Sequence, residues 1–422
     1  MLMLIDKMRK RFLEIGCYLF SATIALPIKF NNFAIAIIVI AWIFEFAWGR
    51  KWELIRERKL LFSLPIVYVV YLIGMAYTEN IDAGLRHLEV KSTFLIFPLA
   101  IGSSVTLDRE AIRRILNVFV GSILIICLYC LAWAYHNFLQ DGEVIHFWYY
   151  DLVKPIGVHP IYLANYIALS IIILLYRLNW NHNSLVISFF QVLKVIGLFY
   201  VVILLSALSV LGFLFSYGMF LGCRKVLKFS TTPKAILVIL SIGILGILVV
   251  MNNSMTAHKI SKMTNLNYQM DDPDYAWNSL TIRLAKWNCS IDVIKDNVFV
   301  GVGTGDEQDE LMLSYERNNF KEGIRCEYNS HNQYLSTFIA LGFIGLISLI
   351  ATLIIPLVVG VKSDNILLTG FILLMMIGFT TENMLSVQKG TVFFSFFYTI
   401  LLVMHNGYSP HKVFWTDVGR AA

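Results

Sequence analysis

The sequence predicts an all-α polytopic membrane protein with about twelve transmembrane helices and a large outer loop that carries amphipathic helices. Three observations lead there. Of the 422 residues, 58% are hydrophobic and only 15% charged, whereas soluble domains carry charge on about 25% of theirs. The mean hydropathy is +0.68, and a soluble core of this size would divide into domains. The apolar residues fall in repeated runs of about 16 to 22, each long enough to cross ~30 Å of hydrocarbon.

In chain order the runs put spans near 15–29, 32–48, 60–77, 90–105, 115–137, 160–176, 187–206, 208–222, 235–251, 333–360, 366–380 and 391–404. The first follows a basic prefix (Lys7, Arg9, Lys10, Arg11) like that of a signal peptide. It has no clear small-residue cleavage site and reads as a retained helix.

Lys and Arg total 34 against 28 Asp and Glu, a net charge of +6. The excess reads as topology, and no nucleic-acid partner is implied. Alternate loops hold it: the N-terminus, then Arg50 to Lys59, then Arg109, Arg113 and Arg114, then Arg224, Lys225, Lys228 and Lys234. The intervening short loops offer only Lys29, Arg86, Lys91, Lys154 and Lys389. By the positive-inside rule both termini are cytoplasmic, and the polar stretch from Asn252 to Ser330 lies outside, in the periplasm of a bacterial inner membrane. The chain then divides into an N-terminal bundle (1–251), an outer loop (252–330) and C-terminal helices with a cytoplasmic tail (331–422).

Of the six cysteines, Cys17, Cys127 and Cys130 sit in apolar runs and Cys223 at a cytoplasmic end. Cys289 and Cys326 share the outer loop, on an oxidising side where a disulfide can persist. Spacing alone does not decide whether they pair.

The outer loop carries the chemistry. Leu280, Leu284, Trp287, Ile291 and Ile294 recur every three or four residues, so Ser279 to Lys295 reads as an amphipathic helix against the membrane surface or the bundle. Arg283 flanks that stripe one turn before Trp287. There it either snorkels at the interface or forks a phosphate. Next, Gly301-Val302-Gly303-Thr304-Gly305 lets the backbone approach a ligand at Gly301 and Gly303, or makes a tight turn between two surface helices. Asp306 and Glu307 follow and no Walker lysine does, which argues against a nucleotide loop. Ser330 and Gln333 then form a capping box that makes His331 the first residue of the helix re-entering the membrane. The positive dipole end keeps its imidazole neutral and able to accept a proton.

Weaker candidates remain. Asp271-Asp272-Pro273-Asp274 is either a divalent-metal D-x-D or a solvated acidic turn. His159 opens the sixth span from outside, facing substrate or simply an interface. Glu382 is a carboxylate partner or a turn residue. No Ser/His/Asp order or HExxH is present, and the CxxC pair Cys127 and Cys130 lies within an apolar run rather than in the outer loop.

The run Arg283…Trp287…Asn297-x3-Gly301-Val302-Gly303-Thr304-Gly305, then Ser330-His331-Asn332-Gln333-Tyr334-Leu335 through Leu341-Gly342-Phe343-Ile344-Gly345-Leu346, resembles the O-antigen ligase and polymerase superfamily. The likeness is detailed over about 280–350, with a local echo at His159-Pro160-x-Tyr162-x-Ala164. It implies a membrane glycosyltransferase that takes a glycan from undecaprenyl diphosphate. The acceptor is the lipid A core in ligases, another lipid-linked repeat in polymerases, and protein in related enzymes. The resemblance also implies that His331 is the essential loop histidine and Arg283 the arginine on the diphosphate. A second family arginine, in a Ser-Arg pair, has no counterpart in Leu204-Leu205-Ser206-Ala207-Leu208-Ser209-Val210. Lys91, before Arg86 in preference, is the expected replacement.

The expected reaction is an inverting displacement, with His331 as base and Arg283 and Lys91 holding the diphosphate. Arg86, His159, Gly301, Gly303 and Asn332 are the further candidate substrate contacts. The diphosphate is its own activated leaving group, so no nucleotide or redox cofactor is implied, and the resemblance makes metal unnecessary. The ligase reading is preferred on the spacing of the glycine and Ser-His-Asn motifs, with polymerase as its alternative. A lipid-linked-sugar transporter or flippase is the rival class, although no internal repeat supports it. A structural assembly subunit is the third reading.

Overall fold

The computed structural model describes residues 2–180, 185–227, 270, 277 and 279–406. The predicted span at 235–251, the acidic run from Asp271 to Asp274, the side chain of Cys223, most of the outer loop before residue 277 and the tail after 406 lie outside the described residues. What is described is helical, with no strand among the described residues.

The helices run in order α1 (Leu2–Thr23), α2 (Ile28–Phe44), α3 (Trp48–Glu57), α4 (Ser63–Gly74), α5 (Ile81–Lys91), α6 (Thr93–Ala100), α7 (Arg109–Asp141), α8 (Tyr149–Val153), α9 (Pro160–Trp180), α10 (Leu185–Leu204) and α11 (Leu208–Leu227). After the undescribed stretch come α12 (Ser279–Asp296), α13 (Glu307–Arg317), α14 (Lys321–Arg325), α15 (Gln333–Lys362), α16 (Ile366–Thr381) and α17 (Gln388–Asn406).

Among the described residues, four helical segments are long and apolar enough to cross a membrane: Lys59–Tyr77, Arg109–Asp141, Pro160–Arg177 and Gln333–Lys362. A fifth is reached if α2 and α3, bent by 113°, count as one. Shorter apolar helices cover Ser188–Leu204, Leu208–Gly218 and Ile366–Thr381. The expectation of about twelve full spans is therefore not met among the described residues. The run at 90–105 shows why. Its apolar residues break at Ser92 into the end of α5 and an eight-residue α6 containing Pro98, and eight residues rise only ~12 Å.

The sharp bend after α2 is built by charge. Glu45 accepts the Val105 and Thr106 amides, each at 3.1 Å, and the Ser104 hydroxyl at 2.9 Å. Its other oxygen meets Lys51 Nζ at 3.4 Å, both side chains being buried. Lys51 lies between the Trp42 and Trp48 rings, 4.7 and 4.4 Å from their centroids, and also donates to the Trp42 carbonyl.

α17 forms the axis of the bundle. Every residue from Lys389 to Met404 is buried, and Phe393, Phe394 and Phe397 pack on Phe371 of α16. Along it, Lys389 Nζ pins the α1–α2 turn through Ile24 O (2.9 Å), Asn31 Oδ1 (2.8 Å) and Leu26 O. Ser395 bonds Thr93 at 3.0 Å and Tyr398 bonds Ser63 at 2.6 Å. A helix apolar all round must be surrounded. The 59–77 segment is the opposite case, with Ile66, Val69, Leu72 and Ile73 exposed for lipid.

α15 is broken at Gly342, whose φ of 60° and ψ of −156° are not helical. The freed backbone groups find partners in the loop after α12: Val302 N donates to Ile339 O (2.9 Å), Gly303 N to Ala340 O (3.0 Å) and Phe343 N to Val298 O (2.8 Å). Interrupted helices persist at membrane depth only when the released groups are paired in this way.

Candidate active site

α12 carries the first part of the site. Its most buried face is formed by Thr281, Ala285, Cys289 and Val293 at four-residue intervals. That face packs on Leu311, Tyr315 and Phe320, and on Ile339 of α15. The large apolar stripe predicted from sequence is displaced to the flank, and Ile291 is exposed. Small residues are used on the inner face because they let backbones approach closely, here with Ser314 Oγ donating to Cys289 O at 3.0 Å. Cys289 and Cys326 are both free thiols, so no disulfide joins them.

The second part is the entry to α15. The expected capping box is not what forms. Asn332 is the N-cap, its Oδ1 accepting from Tyr334 N (3.0 Å) and Leu335 N (3.3 Å). His331 therefore precedes the helix, with φ 45° in the left-handed region, a conformation costly for a side chain of this size. Ser330 and Gln333 instead bind the turn after α16. Ser330 Oγ donates to Asn383 Oδ1 (3.0 Å), Asn332 N to the same oxygen (2.6 Å), and Leu385 N to Gln333 Oε1 (2.7 Å). An amide side chain as N-cap competes well with Ser, and Asn332 is nearer the helix.

These ties bring Glu382 to the imidazole. His331 Nδ1 lies 3.2 Å from Glu382 Oε2, and Arg283 Nη2 lies 3.8 Å from Oε1 of the same carboxylate. Histidine and arginine side chains are each 31% exposed and the carboxylate 15%, so the group opens to solvent or substrate on one side. Burial pushes the Glu382 carboxyl up, but the hydrogen bond and charge of His331, with the charges of Arg283 and His159, more than offset it and hold it below its ordinary value. With Nδ1–H directed at a carboxylate, the lone pair of the neutral imidazole sits on Nε2.

Lys286, one turn beyond Arg283, joins this group although no motif marks it. It is 1% exposed, and its Nζ lies 4.5 Å from the centroid of Tyr328. The Tyr328 ring is in turn 6.3 Å from that of His331. Burial first, then the Arg283 charge, push the Lys286 ammonium down to about 7 against the pull of Glu382 and Cys326.

His159 borders the same centre. Its Nε2 is 2.6 Å from the Tyr150 hydroxyl, and its Nδ1 accepts the Ile161 amide at 3.3 Å. Burial lowers His159; the Glu382 charge opposes this and the His331 charge reinforces it.

Other predicted contacts fall elsewhere. Lys91 is 1% exposed, 4.3 Å from the Tyr71 ring centroid and 3.4 Å from His87 Nδ1. The charge it senses is that of buried Glu307. Arg86 points outward from α5. Gly301 and Gly303 have positive φ; Gly301 packs on backbone and Gly303 mainly on side chains. A Cβ on Gly301 would stand 2.5 Å from the Ala340 carbonyl carbon, and one on Gly303 would meet Thr78 and Asp306. The glycines form the clasp on α15, and Asn332 caps that helix. Asp306 closes the same region by accepting Asn80 N (2.7 Å) and Glu79 N (3.0 Å).

The site is thus a carboxylate bridging an arginine and a histidine at the mouth of a helical bundle. Residues 161–350 match the family model for O-antigen ligase. Over that segment the chain is similar to the O-antigen ligase-like superfamily. This is a family of ligase- and polymerase-type membrane glycosyltransferases, whose partners are a lipid-linked glycan and an acceptor within a membrane. The match takes in Arg283, Lys286 and His331 and stops short of Glu382. No curated protein matches the chain.

Proposed function

We propose that this O-antigen ligase-like chain moves a glycan from undecaprenyl diphosphate to a lipid A-core acceptor at the periplasmic face of a bacterial inner membrane, both of its termini being cytoplasmic. The observation that carries the reading is the Glu382 carboxylate held between His331 and Arg283. The acceptor hydroxyl gives its proton to His331 Nε2 while its oxygen bonds to the anomeric carbon. The bond from that carbon to the diphosphate oxygen breaks, and its electron pair leaves on undecaprenyl diphosphate. Attack opposite the leaving group inverts the anomeric centre. Glu382 fixes the tautomer and offsets the imidazolium that forms.

The leaving group needs cations. Arg283 supplies a planar fork suited to phosphate oxygens. Lys286 is the better second cation, since Lys91 is committed to Tyr71 and Glu307. Lys286 shares a helix turn with Arg283, and the junction at Ser206 between α10 and α11 offers no basic side chain.

The test is purified protein in nanodiscs with a lipid-linked glycan and either lipid A core or a second lipid-linked repeat. Ligase activity consumes the first acceptor; consumption of the second would make the protein a polymerase. Loss of product by about 10²- to 10⁴-fold in His331→Ala is expected for a missing general base. Wild-type turnover in both His331→Ala and Arg283→Ala would end the proposal. Movement of the lipid-linked sugar across vesicles without a new linkage would make the protein a transporter instead.

A further inference from the structure

Beside the catalytic group, the segment between α7 and α9 forms a cleft of about 490 Å³ lined by Tyr150, Asp151, Lys154, Gly157, Val158 and His159, together with Val153. The volume lies within the ~300–1,000 Å³ usual for small-molecule sites. We propose that this cleft is a sugar subsite, which holds pyranose rings of the glycan against Tyr150 while Asp151 and Lys154 bond their hydroxyls. The inference deepens the glycosyltransferase reading and takes from it only the class of ligand.

The walls decide the chemistry. A lipid tail calls for apolar walls, and here a carboxylate, an ammonium, an imidazole and a phenol line the space. An isolated phosphate calls for cations without an opposing acid, and Asp151 is such an acid. A sugar ring presents an apolar C–H face and hydroxyls that donate and accept, which suits an aromatic face flanked by both kinds of partner. Tyr150 is 52% exposed, so its face is available. Its ring stands edge-on to Tyr149 at 4.5 Å and to His159 at 5.1 Å, which fixes its plane.

The tautomer of His159 adds a directional group. Nδ1 accepts the Ile161 amide, so the proton of the neutral ring is on Nε2 and is donated to the Tyr150 oxygen. The same hydroxyl is hydrogen-bonded to Tyr149, so two neighbours hold the Tyr150 ring in place at the cleft. Tyr149 holds φ 49°, a left-handed conformation that a bulky residue adopts only when its surroundings impose it. Such positions cluster at ligand sites. The cleft also adjoins the reacting groups: Glu382 and His331 both act electrostatically on His159, and Glu382 and Arg283 on Tyr149.

The experiment is saturation-transfer NMR on protein in nanodiscs, with two probes. One is the free oligosaccharide released by mild acid from the lipid-linked donor; the other is the core oligosaccharide released from lipid A. Wild-type protein and His331→Ala are expected to saturate the same probe equally, and the identity of that probe tells a donor subsite from an acceptor subsite. Tyr150→Ala is expected to weaken binding at least tenfold. Tyr150→Phe, which keeps the face and loses the hydroxyl, should fall between. Should Tyr150→Ala elute as misfolded protein, Asp151→Asn and Lys154→Gln at the rim carry the test. Saturation of neither probe, or equal affinity in these variants, overturns the subsite. Product formation by wild type with unaltered KM in the same variants would overturn it too and leave the enzymatic reading intact. Saturation without product from any acceptor would sink the enzymatic reading and leave the subsite standing.

Discussion

The Glu382 carboxylate lies 3.2 Å from Nδ1 of His331, across 51 positions of sequence, and holds the histidine in one tautomer. Three chain segments meet there. Removing the carboxylate leaves the imidazole free to rotate and to carry its proton on either nitrogen.

Glu382→Ala is accordingly expected to lower kcat by about 10²- to 10⁴-fold, the range for a disabled general base. Glu382→Gln keeps an acceptor for Nδ1–H but loses the charge that offsets imidazolium, so it should fall between Ala and wild type. The pH profile of kcat checks this. Unchanged profiles in both variants would remove Glu382 from the mechanism.

Lys286 gives a pH signature with opposite signs for binding and stability. Its ammonium is pushed down to about 7, so charge is present below that value and lost above it. Donor KM should therefore rise as pH climbs through about 7, and Lys286→Arg should flatten the rise. Above that pH the unfolded chain binds more protons than the folded one, up to the ordinary lysine value of ~10.4, so this group makes unfolding free energy increase with pH over that window. Chemical denaturation at several pH values, in wild type and Lys286→Met, measures the second effect.

Gly301 and Gly342 test a packing role against a ligand role. Gly301→Ala places a methyl 2.5 Å from the Ala340 carbonyl carbon at a φ of 74°. The left-handed backbone alone costs about 1–2 kcal/mol for a residue with a Cβ. Both Ala variants should lower thermal stability while the protein that remains folded keeps wild-type donor KM. A large KM change at full stability would return these glycines to the binding site.

At the far end of the bundle, Glu45→Ala should destabilise by about 3–5 kcal/mol, because it leaves Lys51 charged, buried and without its carboxylate. Glu45→Leu combined with Lys51→Met should cost less than the single change. Thermal unfolding in detergent distinguishes them.

The helical class and the regions of most of the apolar helices were legible because hydrophobic runs report directly on burial in lipid. The run that carries Ser92 and Pro98 reads as one span in composition, which does not show that its helix is divided at Ser92 and ends at Ala100. Arg283 and His331 stood out as candidates, but the capping box at Ser330 and Gln333 put His331 inside α15, whereas Asn332 is the cap and His331 precedes the helix. Glu382 was visible only as one of two possibilities, because its role depends on Asn383, Ser330 and Asn332 closing a turn from a distant segment. Lys286 looked like any solvent-facing lysine on an amphipathic helix. It is buried because the helix packs through Thr281, Ala285 and Cys289 rather than through its larger residues, and small residues carry almost no hydropathy signal.

The break at Gly342 has a mechanical consequence. A continuous rod of thirty residues would tilt as one body; an interrupted one can swing its outer third about the interruption. That third supports the histidine, and its loose ends are clasped by the strap that leaves the arginine's helix. Through those bonds the helix entered after His331 and the helix carrying Arg283 share one backbone clasp, so a change that loosens it reaches both.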